Sequence, residues 1–158
     1  MFRVGDNIVH PMHGAGVIES IVQRKIDGSV RDYYVLKLPV GGMLVMIPVD
    51  TCERIGVRGI MSADEANKIV DGFSALTIDM TSNWNQRYRD NLQKIKSGDL
   101  MQVASVIKGL MLRDRERGLS TGERRMLHTA KQILVSELIL ALDCDSAEIE
   151  RALVLDGE

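Results

Sequence analysis

The first 55 residues alternate short apolar runs with turn-forming residues. Asp27-Gly28 and Gly41-Gly42 stand between such runs, where glycine supplies the positive φ of a tight hairpin turn. The runs are rich in Val, Ile and Tyr, which is typical of β-strands. We therefore predict four or five antiparallel strands that form a small SH3-like or Tudor-like barrel, a fold that usually binds other macromolecules. The runs occupy residues 7–10, 17–26, 33–38 and 43–47.

From residue 62 onward, apolar positions recur every three or four residues, as they do on one face of an amphipathic helix. Ser62 with Glu65 and Ser120 with Glu123 have the spacing of capping boxes, in which each side chain bonds the other residue's backbone N–H. The pattern predicts five helices packed as a compact bundle. They begin near residues 62, 83, 99, 120 and 146.

Together the two patterns predict an α+β protein, with a small Tudor/SH3-like antiparallel β-barrel followed by a compact five-helix C-terminal domain. We place the barrel at residues 1–55, a linker at 56–61 and the helical domain at 62–158. The last helix is expected to be capped by Ser146 and to reach Leu153. Because two cores use up the apolar positions, we expect a monomer.

Composition narrows the class of protein further. The N-terminal residues contain no apolar run of signal-peptide length, and no run approaches the ~20 residues that span a bilayer, so we expect a cytoplasmic protein without membrane contact. Cys52 and Cys144 lie far apart and are expected to be free thiols. The three histidines have no ligand cluster around them, so no metal or other cofactor is expected. Motifs such as GxxxxGK[ST], GxSxG and HExxH are missing, which argues against an enzyme.

Positive charge is concentrated in one third of the chain. Between Trp84 and Lys131 there are 11 Lys/Arg and 5 Asp/Glu, a net charge of +6. Because the whole chain carries −2, the residues outside this window carry −8. The only tryptophan lies at the start of the same window. Local cationic density in an acidic protein indicates a surface that binds a polyanion such as nucleic acid.

Trp84 has two interpretations that the pattern leaves nearly even. It begins a helical stripe with Tyr88, Leu92 and Ile95, which is typical of a residue in the core. Alternatively, a tryptophan in the first turn can project from the end of a bundle and insert into a nucleic-acid groove. The neighbouring helix face then supplies amide and cationic groups for phosphates. That row consists of Asn83, Arg87, Asn91 and Lys94.

Two other stretches also have both a structural and a functional interpretation. The alternating charges from Arg113 to Arg125 are either a solvated helix end or a second set of phosphate contacts, to which the free N–H groups at Gly122 can add. The apolar run from Leu44 to Pro48 is either a buried strand or an edge strand that adds to another protein's sheet, with Arg24 supporting that interface.

Several motifs, in this order and at this spacing, resemble the CarD/CdnL family of bacterial transcription regulators, and the match runs nearly end to end. Two departures stand out: some relatives have Arg in place of Met46 and a basic residue in place of Gln86. The matching motifs are Val4-Gly5-Asp6, Val9-His10-Pro11-Met12-His13-Gly14-Ala15-Gly16, Tyr34-Val35-Leu36-Lys37, Met46-Ile47-Pro48, Asn83-Trp84-Asn85-Gln86-Arg87-Tyr88 and Arg117-Gly118-Leu119-Ser120-Thr121-Gly122-Glu123-Arg124-Arg125-Met126-Leu127.

The resemblance implies that a Tudor-like N-terminal domain docks on the RNA polymerase β subunit. The same module occurs in transcription-repair coupling factors. It also implies that the helical domain reaches promoter DNA, largely without sequence preference, at the upstream edge of the melted bubble. There Trp84 would be a minor-groove wedge that stabilises the open complex. The implied DNA-binding residues are Trp84, Arg87, Arg89, Arg124 and Arg125, to which the helical row described above adds Lys94. The implied polymerase-binding residues are Arg24, Met46 and Pro48.

Two alternatives stay open from the residues alone. One is a protein-binding adaptor that never contacts DNA and has Trp84 in its core. The other is a stand-alone nucleic-acid-binding protein, since small barrels of this kind also serve that role.

Overall fold

A computed structural model describes residues 1–155 and shows a five-stranded antiparallel sheet followed by helices. The predicted α+β class is thereby confirmed. The strand order across the sheet is β4-β3-β2-β1-β5, so β4 and β5 are the edge strands. The strands are β1 (Asn7–His10), β2 (Gly14–Ile26), β3 (Ser29–Lys37), β4 (Leu44–Pro48) and β5 (Arg58–Gly59).

The hairpin of β2 and β3 extends beyond the rest of the sheet. Asp27 and Gly28 form its turn with φ of 52° and 81°, in agreement with the turn predicted from this dipeptide. Pairing of β3 with β4 ends at Tyr33, opposite Pro48, and pairing of β2 with β1 ends at Val17. The Val49 N–H still donates to the Asp32 carbonyl at 3.0 Å, and residues 23–31 beyond it form a two-stranded arm whose outer edges pair with no other described strand.

One face of the sheet is covered by its own apolar core. Tyr34 and Ile18 are fully buried there, and Cys52 and Val57 close the core from the segment after β4. Cys52 begins a short helix, α1 (Cys52–Ile55), within the region predicted to be a barrel. The buried members of this core are Ile8, Ile18, Tyr34, Leu36, Leu38, Ile47, Cys52 and Val57.

Five longer helices follow, and they pack around a second core. The predicted capping boxes do start helices, because Ser62 and Ser120 accept the backbone N–H of Glu65 and Glu123. The last helix is capped by Asp145 rather than by the predicted Ser146, which is its first helical residue. The helices are α2 (Ala63–Gly72), α3 (Trp84–Lys96), α4 (Leu100–Arg117), α5 (Thr121–Leu142) and α6 (Ser146–Ala152), with a 3-10 turn at Phe73–Ala75. Residues 156–158 of the predicted helical domain lie outside the described range.

Two residues of the predicted linker, residues 56–61, belong to the sheet. Arg58 and Gly59 form β5 and pair with Val9 and Ile8 of β1. The Arg58 guanidinium donates two hydrogen bonds of 2.8 Å to the buried carboxylate of Glu137 on α5. This segment is therefore fixed to both the sheet and the helices rather than being a free connection.

The C-terminal half of α5 packs against the start of β2. Ser136 Oγ accepts the backbone N–H of Ala15 at 2.8 Å, and Gln132 Nε2 donates to the carbonyl of His13 at 3.1 Å. Gly14, which lies between His13 and Ala15, has φ of +98°. A Cβ at this position would meet Ser136 Oγ and the backbone of Gln132 and Ile133. A glycine is thus required where helix and sheet meet.

Candidate nucleic-acid interface and docking edge

Trp84 lies on the surface at the first turn of α3. Trp84 is 42 % exposed. The apolar stripe that it begins reaches a buried position only at Ile95, three turns further along the helix. Asn83 caps this helix, since its side-chain oxygen accepts the backbone N–H of Gln86 at 2.9 Å. The exposed position of the indole contradicts the interpretation of Trp84 as a core residue.

The indole has fixed contacts on one ring face and on one edge. Its ring stacks on Tyr88 with centroids 5.0 Å apart and an interplanar angle of 17°. Its Nε1–H donates to Ser120 Oγ at 3.1 Å. Gly122 is close to both rings, because a Cβ placed there would lie 3.6 Å from Trp84 Cζ2 and 3.7 Å from Tyr88. The N-terminus of α5 therefore lies against the N–H edge of the indole.

The buried position of Arg87 contradicts its predicted role in a row of phosphate contacts. It is 1 % exposed, and its guanidinium donates to Glu123 at 2.8 and 3.0 Å and to the carbonyls of Thr81 and Ser82 at 3.2 and 3.0 Å. Asn91, from the same row, is also 1 % exposed. Both side chains face the bundle rather than solvent, so Arg87 cannot reach a DNA phosphate in this arrangement.

The physical reason is that the first turns of α3 and α5 are packed together over a buried carboxylate. Glu123 is 1 % exposed, and an ionised group at such burial needs a hydrogen-bonded partner of opposite charge. The hydrogen bonds from Arg87 lower the pKa of Glu123, and Arg113, with Nε 3.8 Å away, lowers this pKa further. The same contact raises the pKa of Arg87. The pair is therefore ionised at neutral pH and links the two helices.

Other predicted DNA-binding residues do reach solvent. Arg124 and Arg125 are exposed on the first turn and a half of α5, and Arg124 also donates to the carbonyl of Leu119 at 3.1 Å. Arg89 is exposed on α3 and donates to Gln86 at 3.1 Å. Lys94 is half-buried and lies about 15 Å along the α3 axis from Trp84, given a rise of ~1.5 Å per residue. Ser120, which accepts the indole N–H, caps the helix whose first turns carry the two arginines.

Sequence patterns missed the roles of Ser120, Tyr88 and Glu123 at this surface. The capping box identified Ser120 and Glu123 only as a helix start, although Ser120 also accepts the indole N–H and Glu123 also holds Arg87. The spacing of Trp84 and Tyr88 indicated neighbours on one helix, which was the available signal for the stack. No local signal connects α3 with a residue 36 positions further along the chain.

The residues predicted to bind polymerase share one face of the sheet. Arg24 is opposite Arg31, Pro48 is opposite Tyr33, and Met46 is opposite Val35, and directly paired residues point to the same side. This side faces away from the apolar core that contains Tyr34 and Ile47. The structure therefore brings all three predicted residues together.

The edge strand β4 combines unpaired backbone groups with exposed apolar side chains. Its outer edge has no partner strand within the described residues, and Leu44 and Met46 are 56 % and 42 % exposed. On the arm, Arg31 pairs with Asp50 at 2.6 Å, whereas Arg24 is exposed directly opposite Arg31. An exposed edge of this composition can pair with a strand of another chain.

None of the helices in residues 1–155 is both long enough and apolar enough to cross a bilayer. Over the same range, no group of three or more His, Cys, Asp or Glu side chains is arranged to hold a metal ion.

Comparisons with known proteins cover almost the whole chain. Residues 2–61 match the family described as "CarD-like/TRCF RID domain", and residues 68–154 match "CarD, C-terminal domain". The chain is 37 % identical over 138 residues to the protein YdeB of Bacillus subtilis (strain 168), which is named as a proposed transcription factor. That match covers 87 % of this chain and 90 % of YdeB. The two matches follow each other in the order of the sheet and the helices, and the chain therefore belongs to the CarD family of transcription regulators.

Proposed function

We propose that this protein docks on the RNA polymerase β subunit through its sheet and holds promoter DNA at the upstream edge of the melted bubble, where Trp84 inserts into the minor groove. The observation that carries the proposal is the half-exposed indole at the α3–α5 contact, together with the exposed Arg124 and Arg125 in the first turns of α5. The protein would act as a monomer in the bacterial cytoplasm.

The exposed cations favour weak and largely sequence-independent DNA binding. Arg89, Lys94, Arg124 and Arg125 reach solvent, whereas Arg87 does not. Each phosphate neutralised on duplex DNA lowers log K by about 0.9 per tenfold rise in salt concentration. A few such contacts position a protein on DNA but read no bases.

The wedge supplies selectivity for melted DNA over closed duplex. Partial unstacking costs a few kcal/mol at an intact step and less where the duplex is already open. A protein that binds the open junction better than the closed duplex shifts the equilibrium toward the open complex. The side chain of Trp84 is exposed enough to enter such a junction and is large enough to replace a stacked base.

Docking on polymerase would compensate for weak DNA affinity. Strand addition at β4 satisfies its free backbone groups, and Leu44, Met46 and Pro48 lie on the face that would contact the partner. Because Met46 stands where some relatives have Arg, this contact would be more apolar here. Tethering raises the effective concentration of the DNA-binding surface to about the millimolar range.

The test is the lifetime of the open complex on a ribosomal-type promoter with the cognate polymerase. Wild-type protein should lengthen this lifetime, and Trp84→Ala should abolish most of the effect while its unfolding midpoint stays close to that of wild type. Equal action of the two proteins would contradict the wedge.

Two alternatives predict different results. An adaptor with no DNA contact predicts that Trp84→Ala leaves the lifetime unchanged. A stand-alone nucleic-acid-binding protein predicts salt-sensitive binding of the isolated protein at physiological salt concentration, without polymerase.

A further inference from the structure

The contacts of Trp84 restrict its motion before any DNA is bound. Tyr88 covers one face of the indole, and Ser120 accepts the N–H at its edge. The stacking contact and the hydrogen bond together restrain both side-chain torsion angles of Trp84, χ1 and χ2. Trp84 remains 42 % exposed in this arrangement.

The acceptor is itself connected to α3 through a buried ion pair. Ser120 Oγ is the N-cap of α5 and accepts the backbone N–H of Glu123 at 3.2 Å as well as the indole N–H at 3.1 Å. Glu123 is in turn bound to Arg87, one turn after Trp84 on α3. The hydrogen bonds of the Ser120 cap, the buried ion pair and the indole thus connect the first turns of α3 and α5.

A preorganised side chain loses less conformational freedom when it binds. We propose that Ser120 and Tyr88 are positioning residues that hold Trp84 ready for insertion, with Ser120 serving at once as helix cap and as indole acceptor. This inference rests on the proposed function of Trp84 for its effect on DNA. The contacts themselves concern the free protein and can be tested without DNA.

The variants exploit the double role of Ser120. Ser120→Gly removes the indole acceptor but keeps most of the capping preference, since glycine is a far better N-cap than alanine. Ser120→Asn retains a side-chain oxygen for both bonds and serves as the matched control. Because the chain has one tryptophan, the anisotropy decay of its fluorescence reports the motion of Trp84 alone.

We expect a nanosecond component of indole motion in Ser120→Gly that is absent in wild type and in Ser120→Asn. In the full protein with polymerase, Ser120→Gly should shorten the open-complex lifetime by about 2- to 10-fold, the factor expected for one side chain that must be immobilised on binding. Ser120→Asn should restore the lifetime. Unchanged anisotropy in Ser120→Gly would overturn the proposal.

A double-mutant cycle gives a second, independent measurement that separates the indole contact of Ser120 from its role as a helix cap. Trp84→Phe removes the N–H donor and keeps an aromatic ring over Tyr88, so Ser120→Gly should have no further effect on the lifetime in that background. Additive effects of the two changes would overturn the proposal. An unchanged lifetime in Trp84→Ala would instead reject the wedge, and the anisotropy decay would then decide the positioning contact alone.

Discussion

At the scale of single residues, the pair of Arg87 and Glu123 has the largest expected effect on stability. Removing one partner of a buried, hydrogen-bonded ion pair leaves an unpaired charge, at a cost of about 3–5 kcal/mol. Glu123→Gln should therefore lower the free energy of unfolding by an amount approaching this range at pH 7. Arg125→Ala, an exposed cation on the same helix, should leave it nearly unchanged. Urea unfolding of both variants measures the difference.

The sign of the pH dependence follows from the lowered pKa of Glu123. A carboxylate whose folded-state pKa is depressed stabilises the fold above its unfolded pKa, about 4.3 for Glu, and this contribution is lost as pH falls through the folded value. The stability gap between wild type and Glu123→Gln should be full at neutral pH and should shrink in acid below about pH 4. A stability difference between the two proteins that does not change with pH would contradict the lowered pKa of Glu123.

Sequence alone could identify Trp84 as important but could not place Arg87. Amide and cationic side chains flank both sides of the Trp84 stripe on α3, so spacing does not say which flank faces α5. The partner that decides this, Glu123, is 36 residues away and already had a local explanation as part of a capping box. Burial of an arginine depends on tertiary packing, which periodicity does not encode.

At the scale of elements, local rules located most helices and strands. Caps and a turn dipeptide predicted the starts of α2 and α5 and the hairpin turn, because these signals depend on neighbouring residues only. β5 was missed, since two residues show no periodicity and pair with β1 about 50 positions earlier. The α6 cap was displaced by one residue because Asp145 and Ser146 are both good caps.

The edge strand β4 gives a prediction at this scale. Met46→Glu places a negative charge, opposite in sign to the Arg of some relatives, on the exposed face of the edge, a substitution that opposes apolar contact with a partner. The variant should bind the polymerase β subunit at least tenfold more weakly, with an unchanged unfolding midpoint, in a titration followed by anisotropy. Val30→Glu is a matched control, since Val30 is 62 % exposed on β3 and is not paired with β4. Similar losses in both variants would count against docking at this edge.

At the scale of the whole molecule, the sheet and the helices are joined at Gly14. Gly14→Ala places a Cβ against α5 at a φ of +98°, so it should reduce stability by both backbone strain and steric overlap. Gly5→Ala measures the backbone strain alone, because Gly5 has φ of +93° with nothing within 4 Å of the added Cβ. Thermal unfolding should show a clearly larger loss for Gly14→Ala. Equal losses would mean that the overlap is relieved without cost.

Helix α5 contacts the Trp84 indole at its N-terminus and the sheet near its C-terminus. Its N-cap, Ser120, contacts the indole, and Ser136 contacts the sheet 16 residues later, about 24 Å along a helix that rises ~1.5 Å per residue. That length equals roughly seven base-pair steps of 3.4 Å. In the proposed function, this length would set the distance between the DNA step that the indole enters and the polymerase surface that the sheet contacts. The position of the indole on a promoter would then be determined by where polymerase sits and not by the base sequence.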